Sequence, residues 1–146
     1  MKIYFAGPLF TPAERRFIDE CAVQLRAAGF DIFVPHEHEL ALDGTVTAER
    51  IFAKDWGALS EANAVLAILD GPVIDDGTAC EIGIFYALMQ NDPTKKGIVG
   101  LLTDLRSTLA HEGHGLNLFV HGCVEAGGTI CGSLDEVLET LSGWRD

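Results

Sequence analysis

Residues 63 to 71 read "NAVLAILDG", six apolar side chains in a row with no polar alternation. A strand with one wet face alternates apolar and polar residues, so a run that is apolar at both parities must be covered on both sides. That is the mark of a parallel strand lying between two helical layers. Three further runs are of the same kind: "KIYFAG" at 2–7, "FDIFVP" at 30–35 and "KGIVGLL" at 96–102. Between them lie patterns of helical period. Thr11 and Glu14 form a capping box with Pro12 at the first helical position, the stripe Ile18, Cys21, Ala22, Leu25 and Ala28 follows, and Gly29 stops it. "TAERIFAKDWGALSEA" at 47–62 reads as a second helix, and a third opens near Asp76 to Thr78 and runs to about Gln90. "GTICGS" at 128–133 is a brief fifth strand, and Ser133 with Glu136 boxes a final helix. Residues 103–116 read as a long polar loop, and "NLFVHG" at 117–122 as a short segment. Strands alternating with helices at this spacing imply one α/β domain over 1–146, a parallel sheet of about five strands with helices on both faces. Ligands in such sheets bind beyond the carboxyl ends of the strands, where the strand order reverses.

Charge narrows the function. A net charge of −12 removes the basic face that a nucleic-acid binder needs. The segment "MKIYFAGPLF" is neither a secretory signal nor a membrane span, since no apolar run reaches about 18 residues. The four cysteines, Cys21, Cys80, Cys123 and Cys131, contain no C-x-x-C pair and read as small buried hydrophobes of a cytoplasmic protein. His36 with His38 and His111 with His114 read as solvated loop histidines, because H-E-G-H lacks the spacing of a zinc-binding helix. No metal and no cofactor is expected.

The chemistry concentrates after the third strand, in "LDGPVIDDGTACEIG" at 69–83. Glu81 falls at i with Ile84, Phe85 and Leu88 at i+3, i+4 and i+7, so the carboxylate shares an apolar stripe. Thr78 and Glu81 also satisfy a capping box, which offers the plainer reading that Glu81 caps its own helix. Asp55 shares the stripe of Ile51, Ala58 and Leu59, with Lys54 and Arg50 placed on other faces of the same helix. Its plainer reading is an ion pair with a neighbouring base. A carboxylate near a helix N-terminus is stabilised by free N–H groups, so Glu81 is expected to stay ionised and nucleophilic. A second carboxyl of higher pKa could donate a proton. Attack at an anomeric carbon by one group and protonation of the leaving group by another is the division of labour that cleaves a glycosidic bond.

With these pieces in order the chain resembles the nucleoside 2-deoxyribosyltransferases. The matching residues are "IYFAGPLF" at 3–10, Asp55, "LDGPVIDDGTACEIG" at 69–83 and the Asn-Leu of "GLNLFV" at 115–120, covering roughly the first 120 residues. The resemblance implies a flavodoxin-like doubly wound sheet and a double-displacement exchange in which one nucleobase leaves 2-deoxyribose and another enters. It makes Glu81 the nucleophile, Tyr4 the group that orients it, and Asp55 and Asp75 the handlers of the base and its proton. Gly7, Pro8, Phe10, Glu39, Asp76, Gly77 and Asn117 would contact the substrate. Asn117 would bind the sugar 5′-hydroxyl of a neighbouring subunit's site, so a homo-oligomer built from dimers, often a hexamer, is implied. The partners would be purine and pyrimidine 2′-deoxyribonucleosides and free bases, with "TKKGIVGLLTDLRS" leaning towards purines. Two departures stand out: "PHEHE" carries acids and histidines where relatives often place an amide, so Glu37, His38 or Glu39 would substitute, and "SGWRD" does not match the family's ending.

Two rivals remain. A hydrolase of deoxynucleoside 5′-monophosphates would need phosphate donors after strand one, where this chain has "GPLFTP" with Arg15 and Arg16 inside the helix. A non-catalytic flavodoxin-like module, either a phospho-receiver or a flavin carrier, would need acids at the end of strand one or a bound yellow chromophore. "FAGPLF" has no such acid.

Overall fold

The computed structural model of the chain describes residues 1–38, 46–109 and 116–145. Strands β1 (Lys2–Ala6), β2 (Asp31–Phe33), β3 (Ala64–Ile68), β4 (Gly97–Leu101) and β5 (Gly128–Cys131) form one sheet in the order β2-β1-β3-β4-β5. Every pairing is parallel, with Tyr4 opposite Phe33 on one side and Val65 on the other. The order steps from β1 outward to β2 and then back to β3, so the crevice of such a sheet opens between the carboxyl ends of β1 and β3.

The apolar runs split by parity. Ile3 and Phe5 of β1 and Leu66 and Ile68 of β3 pack under helix α1 (Pro12–Ala27) and helix α6 (Leu134–Gly143). Tyr4, Ala6, Val65 and Ala67 face the opposite layer, built by α2 (Ala48–Glu61), α3 (Asp76–Met89) and α5 (Leu118–Gly127). All five residues of β3 and of β4 are buried, as an uninterrupted apolar run requires. The expected capping box is present on α1: Thr11 Oγ1 accepts from Glu14 N, and Glu14 Oε2 accepts from Thr11 N at 2.7 Å. At α6 the box is only half formed, because Ser133 Oγ accepts from Glu136 N while the Glu136 carboxylate takes Gly132 N instead.

Two readings of the sequence are corrected. The polar stretch 103–116 contains a short helix, α4 (Leu105–Leu109), and "NLFVHG" begins the ten-residue α5. Glycines and β-branched residues hide α5 from propensity; it is held by Asn117 Oδ1, which accepts from Phe119 N and Val120 N, and by burial of Val120 and Val124. All four cysteines are free, yet Cys80 is exposed and Cys123 half-buried, so only Cys21 and Cys131 are the core residues expected of all four. No helix among the described residues is long and apolar enough to cross a membrane.

The C-terminal residues pack at the amino ends of the strands. Trp144 lies so close to Gly97 that a Cβ there would meet its ring at 2.6 Å, and the Arg145 guanidinium stacks 3.6 Å from the centroid of the Phe30 ring. Within one chain the ending is therefore on the far side of the sheet from the crevice.

Lys95 locks the site-bearing helix α2 to the body of the fold. Its side chain is 3% exposed, and Nζ donates to the carbonyls of Ser60 at 2.5 Å and Ala62 at 2.7 Å, the last acceptors of α2. Lys95→Met keeps the stem and strands both carbonyls. We expect a loss of about 1–3 kcal/mol in urea unfolding, and a loss near zero would show that water serves those acceptors equally well.

Candidate active site

Tyr4 sits at the middle of β1 with its ring fully buried, and its hydroxyl donates to Glu81 Oε1 at 2.5 Å, across 77 residues of sequence. The ring is held from behind by Phe33, stacked at 5.5 Å, and Phe33 in turn lies flat against His38 at 4.5 Å. On α3, Thr78, Ile82 and Phe85 are buried, and Ile84 and Leu88 are half-buried. Glu81 thus stands at the edge of the buried stripe, facing the crevice.

The helix is capped by another residue. Asp75 is the N-cap of α3, and its Oδ2 accepts from Thr78 N at 2.8 Å and Thr78 Oγ1 at 2.9 Å. The capping role open to Glu81 in the sequence is taken by Asp75, which leaves Glu81 to Tyr4. Gly77 makes room for this arrangement, since a Cβ there would come within 3.2 Å of Asp75 Oδ2. Gly7, at the end of β1, would put a Cβ 2.9 Å from Ile18 Cδ1 and 3.1 Å from Ile68 Cγ1, so a larger residue there would have to displace those side chains.

Asp55 comes from α2 with a side chain 20% exposed. Lys54, placed by helical geometry on a different face, bends back on its four-carbon stem: Nζ lies 3.2 Å from Asp55 Oδ1 and donates to Pro35 O at 2.9 Å. The ammonium is a charge neighbour of Oδ1 rather than a hydrogen-bond donor to it, and that buried oxygen has no hydrogen-bond partner.

These groups share a cavity of about 470 Å³. Of the residues singled out from sequence, Gly7, Phe10, Asp55, Asp75, Gly77 and Glu81 line it, with Tyr4 beneath. Phe10 is 81% exposed and stands at the rim. Pro8 instead lines a neighbouring depression beside Glu14 and Asp70, while Asp76 and Asn117 line a third with Val73 and Leu116. Glu39 lies outside the described residues, as do His111 and His114. Glu37 is bound to Arg26, Nη1 donating to Oε1 at 2.8 Å, and does not line the cavity. His36, expected in solvent, has a side chain only 11% exposed, paired at 2.7 Å with Asp19. Sequence reasoning missed seven wall residues: Leu9, Arg15, Pro35, His36, Val46, Ile51 as a wall rather than core, and Lys54. They come from the segment after β1, the first turn of α1, the turn after β2 and helix α2 with the residue before its cap, and no local pattern marks that convergence. Among the described residues no group of three or more His, Cys, Asp or Glu could hold a metal ion.

The electrostatics revise the expectation for Glu81. Burial pushes its carboxyl up from the ordinary value to about 7; the Tyr4 hydrogen bond opposes this, the nearby Asp55 and Asp75 add to it, and Lys54 opposes it. Helix-end stabilisation does not prevail, because the carboxyl is sunk beside two others. Tyr4 is pushed far above the usual phenol range, by burial first and then by the charge of Glu81, so it remains a neutral donor.

A family model described as nucleoside 2-deoxyribosyltransferase matches residues 3–119. In solved structures, the fold is similar to that of a conserved protein from Enterococcus faecalis V583, with 29% identity, TM-score 0.85 and 98% of each chain covered. It is also similar to a 2-deoxyribosyltransferase from Bacillus psychrosaccharolyticus, at 23% identity and TM-score 0.74, covering 94% of this chain and 90% of the other. A CMP N-glycosidase from Clostridium botulinum shares the fold at 18% identity and TM-score 0.61, with 99% of each chain covered.

A raised carboxyl pKa is a stability cost of defined pH range. Below the ordinary value of 4.5 the group is protonated whether the chain is folded or not, and nothing is lost; above about 7 the folded protein carries the full cost of the buried charge. Glu81→Gln keeps the acceptor for Tyr4 and removes that charge. It is expected to be more stable than the parent at pH 8 by up to about 3 kcal/mol, the two converging as pH falls towards 5. Denaturant curves at the two pH values test this, and equal stability at pH 8 would refute it.

Proposed function

The chain belongs to the nucleoside 2-deoxyribosyltransferase family, and from that premise we propose that it exchanges the nucleobase of 2′-deoxyribonucleosides through a covalent deoxyribosyl-Glu81 intermediate. The observation that carries the proposal is the Tyr4 hydroxyl donating at 2.5 Å to Glu81 in a cavity that Asp55 and Asp75 share. A volume of about 470 Å³ is within the range, about 300–1,000 Å³, of sites that enclose a small molecule.

In the first step, a Glu81 carboxylate oxygen forms a bond to C1′ as the C1′–N bond breaks, and the bonding pair leaves on the base nitrogen. Asp55 or Asp75, in its acid form, supplies the proton that the departing base needs. Loss of the base leaves a sugar ester and one aspartate ionised. In the second step an incoming base attacks C1′ from the face the first one left, Glu81 departs as carboxylate, and the aspartate recovers its proton. Two inversions give net retention. The missing 2-hydroxyl of the sugar matters: without its electron withdrawal, positive charge develops more easily at C1′. Tyr4 contributes by holding one Glu81 oxygen, leaving the other to react.

A second reading has one observation in its favour. Arg15, which the sequence places within the first helix, lines the cavity, its Nε donating to Leu9 O at 2.7 Å. A guanidinium at the mouth suits a 5′-phosphate, and water in place of the second base would make the enzyme a 2′-deoxynucleoside 5′-monophosphate N-glycosidase.

The experiment is incubation with deoxyinosine plus adenine and with thymidine plus adenine, and separately with a deoxynucleoside 5′-monophosphate alone. New deoxyadenosine without free sugar is the expected result. Release of deoxyribose 5-phosphate with no exchange would select the hydrolase, and neither product would remove both. Glu81→Ala should lower the rate by at least about 10³-fold. Because Glu81 is pushed up to about 7, kcat/KM should rise with pH through that region as the nucleophile ionises; a profile flat from pH 5 to 8 would exclude Glu81 as the nucleophile.

A further inference from the structure

Asp55, Asp75 and Glu81 bring three acidic groups to one cavity, and its described basic lining is Arg15, His36 and Lys54. His36 is turned to Asp19 on α1, and the Arg15 Nε is committed to the Leu9 carbonyl. Lys54 is the base set directly against the acidic cluster, with Nζ 3.2 Å from Asp55 Oδ1 and the side chain 16% exposed. It cannot drift, because the same nitrogen donates to Pro35 O at 2.9 Å, and Pro35 is itself buried in the short 3₁₀ turn Pro35–His38.

We propose that Lys54 is a positioning residue of the reaction centre: its ammonium, set between the Pro35 carbonyl and Asp55, partly offsets the crowded carboxyl groups and so favours the ionised form of Glu81 that attacks the sugar. The inference rests on the exchange reading of the site. The physical reason is that like charges brought together out of bulk water favour protonating one of them, and an adjacent fixed cation opposes that preference. Lys54 acts through Asp55 and Glu81 without contacting the sugar. Its anchor also explains why the cation belongs to α2 rather than to a mobile surface arm: a charge that reports on the cluster must stay at constant distance from it.

The groups facing Glu81 from each element are Tyr4 of β1, Asp55 and Lys54 of α2 and Asp75 at the start of α3, with His36 and Arg15 on the cavity wall. Because His36 on the cavity wall is itself an ionisable group, the readout must be Glu81 itself. The full chain is labelled with ¹³C at the glutamate carboxyl carbons, and the Glu81 signal is assigned by its loss in Glu81→Gln. Its titration is followed in the parent protein, Lys54→Met, Lys54→Gln and Lys54→Arg, with circular dichroism to confirm folding. The midpoint is expected to rise by roughly one pH unit in both neutral variants and to stay within a few tenths of a unit in Lys54→Arg. The acid limb of kcat/KM should move by the same amount, with KM at high pH little changed. An unmoved Glu81 midpoint in a folded neutral variant overturns the proposal. So does a drop in rate without a shift in the profile, since that would limit Lys54 to holding the Pro35 turn. The titration needs no turnover, so failure of base exchange by the parent protein would be seen separately.

Discussion

The hydrogen bond from Tyr4 to Glu81 joins the middle residue of β1 to α3, which begins only at Asp76, and the candidate site is organised around it. It exists because β1 lies between β2 and β3, so that α3, following β3, starts over the carboxyl end of β1. A hydroxyl in a fully buried ring must find a partner or carry a desolvation cost. A carboxyl sunk beside two others needs a donor to remain ionisable. Each group meets the other's requirement, and the stack of Phe33 and His38 behind Tyr4 keeps the donor where it is needed.

Around this pair, charge is arranged at some expense to the fold. Burial holds the Glu81 carboxyl near neutrality, and Asp55 and Asp75 add to the strain. The fold tolerates it because neighbouring contacts are well satisfied. Lys95 takes the final carbonyls of α2, and Asp70 gathers Thr103 N, Thr103 Oγ1 and Asp104 N, tying the end of β3 to the end of β4. These contacts fix the end of α2 and the ends of β3 and β4 around a carboxyl cluster that is electrostatically unfavourable, the combination expected of a site prepared to bind and react.

The parallel sheet was readable from "NAVLAILDG" and its companions because burial on both faces leaves a signature in a few consecutive residues. The α1 cap was readable for the same reason, since Thr11 and Glu14 act within one turn. Asp55 and Glu81 could be singled out because a carboxylate on an apolar stripe is costly and so conspicuous, whereas Asp75 stood out through its acid-rich segment and the resemblance that segment carries. The α5 helix was not legible, because its stability comes from Asn117 and from packing against α3 rather than from its own propensities. The capping of α3 was left open by the sequence, because Thr78 and Glu81 satisfy a capping box, and only the tertiary structure sets Asp75 at the cap and Glu81 against Tyr4.

By itself the sequence determined the five strands and their alternation with α1, α2, α3 and α6, the edge of the sheet where acids gather, and the residue types available for chemistry there, since each depends on contacts within a turn or on alternation along a strand. Tertiary structure alone decided which acid meets Tyr4, that Lys54 folds back onto Asp55, that Glu81 titrates near 7 rather than as a free carboxylate, and that Asp76 and Asn117 line a different depression of the same chain. Those outcomes depend on distances between segments tens of residues apart and on how much water the packed crevice excludes, and neither quantity is written in any local pattern.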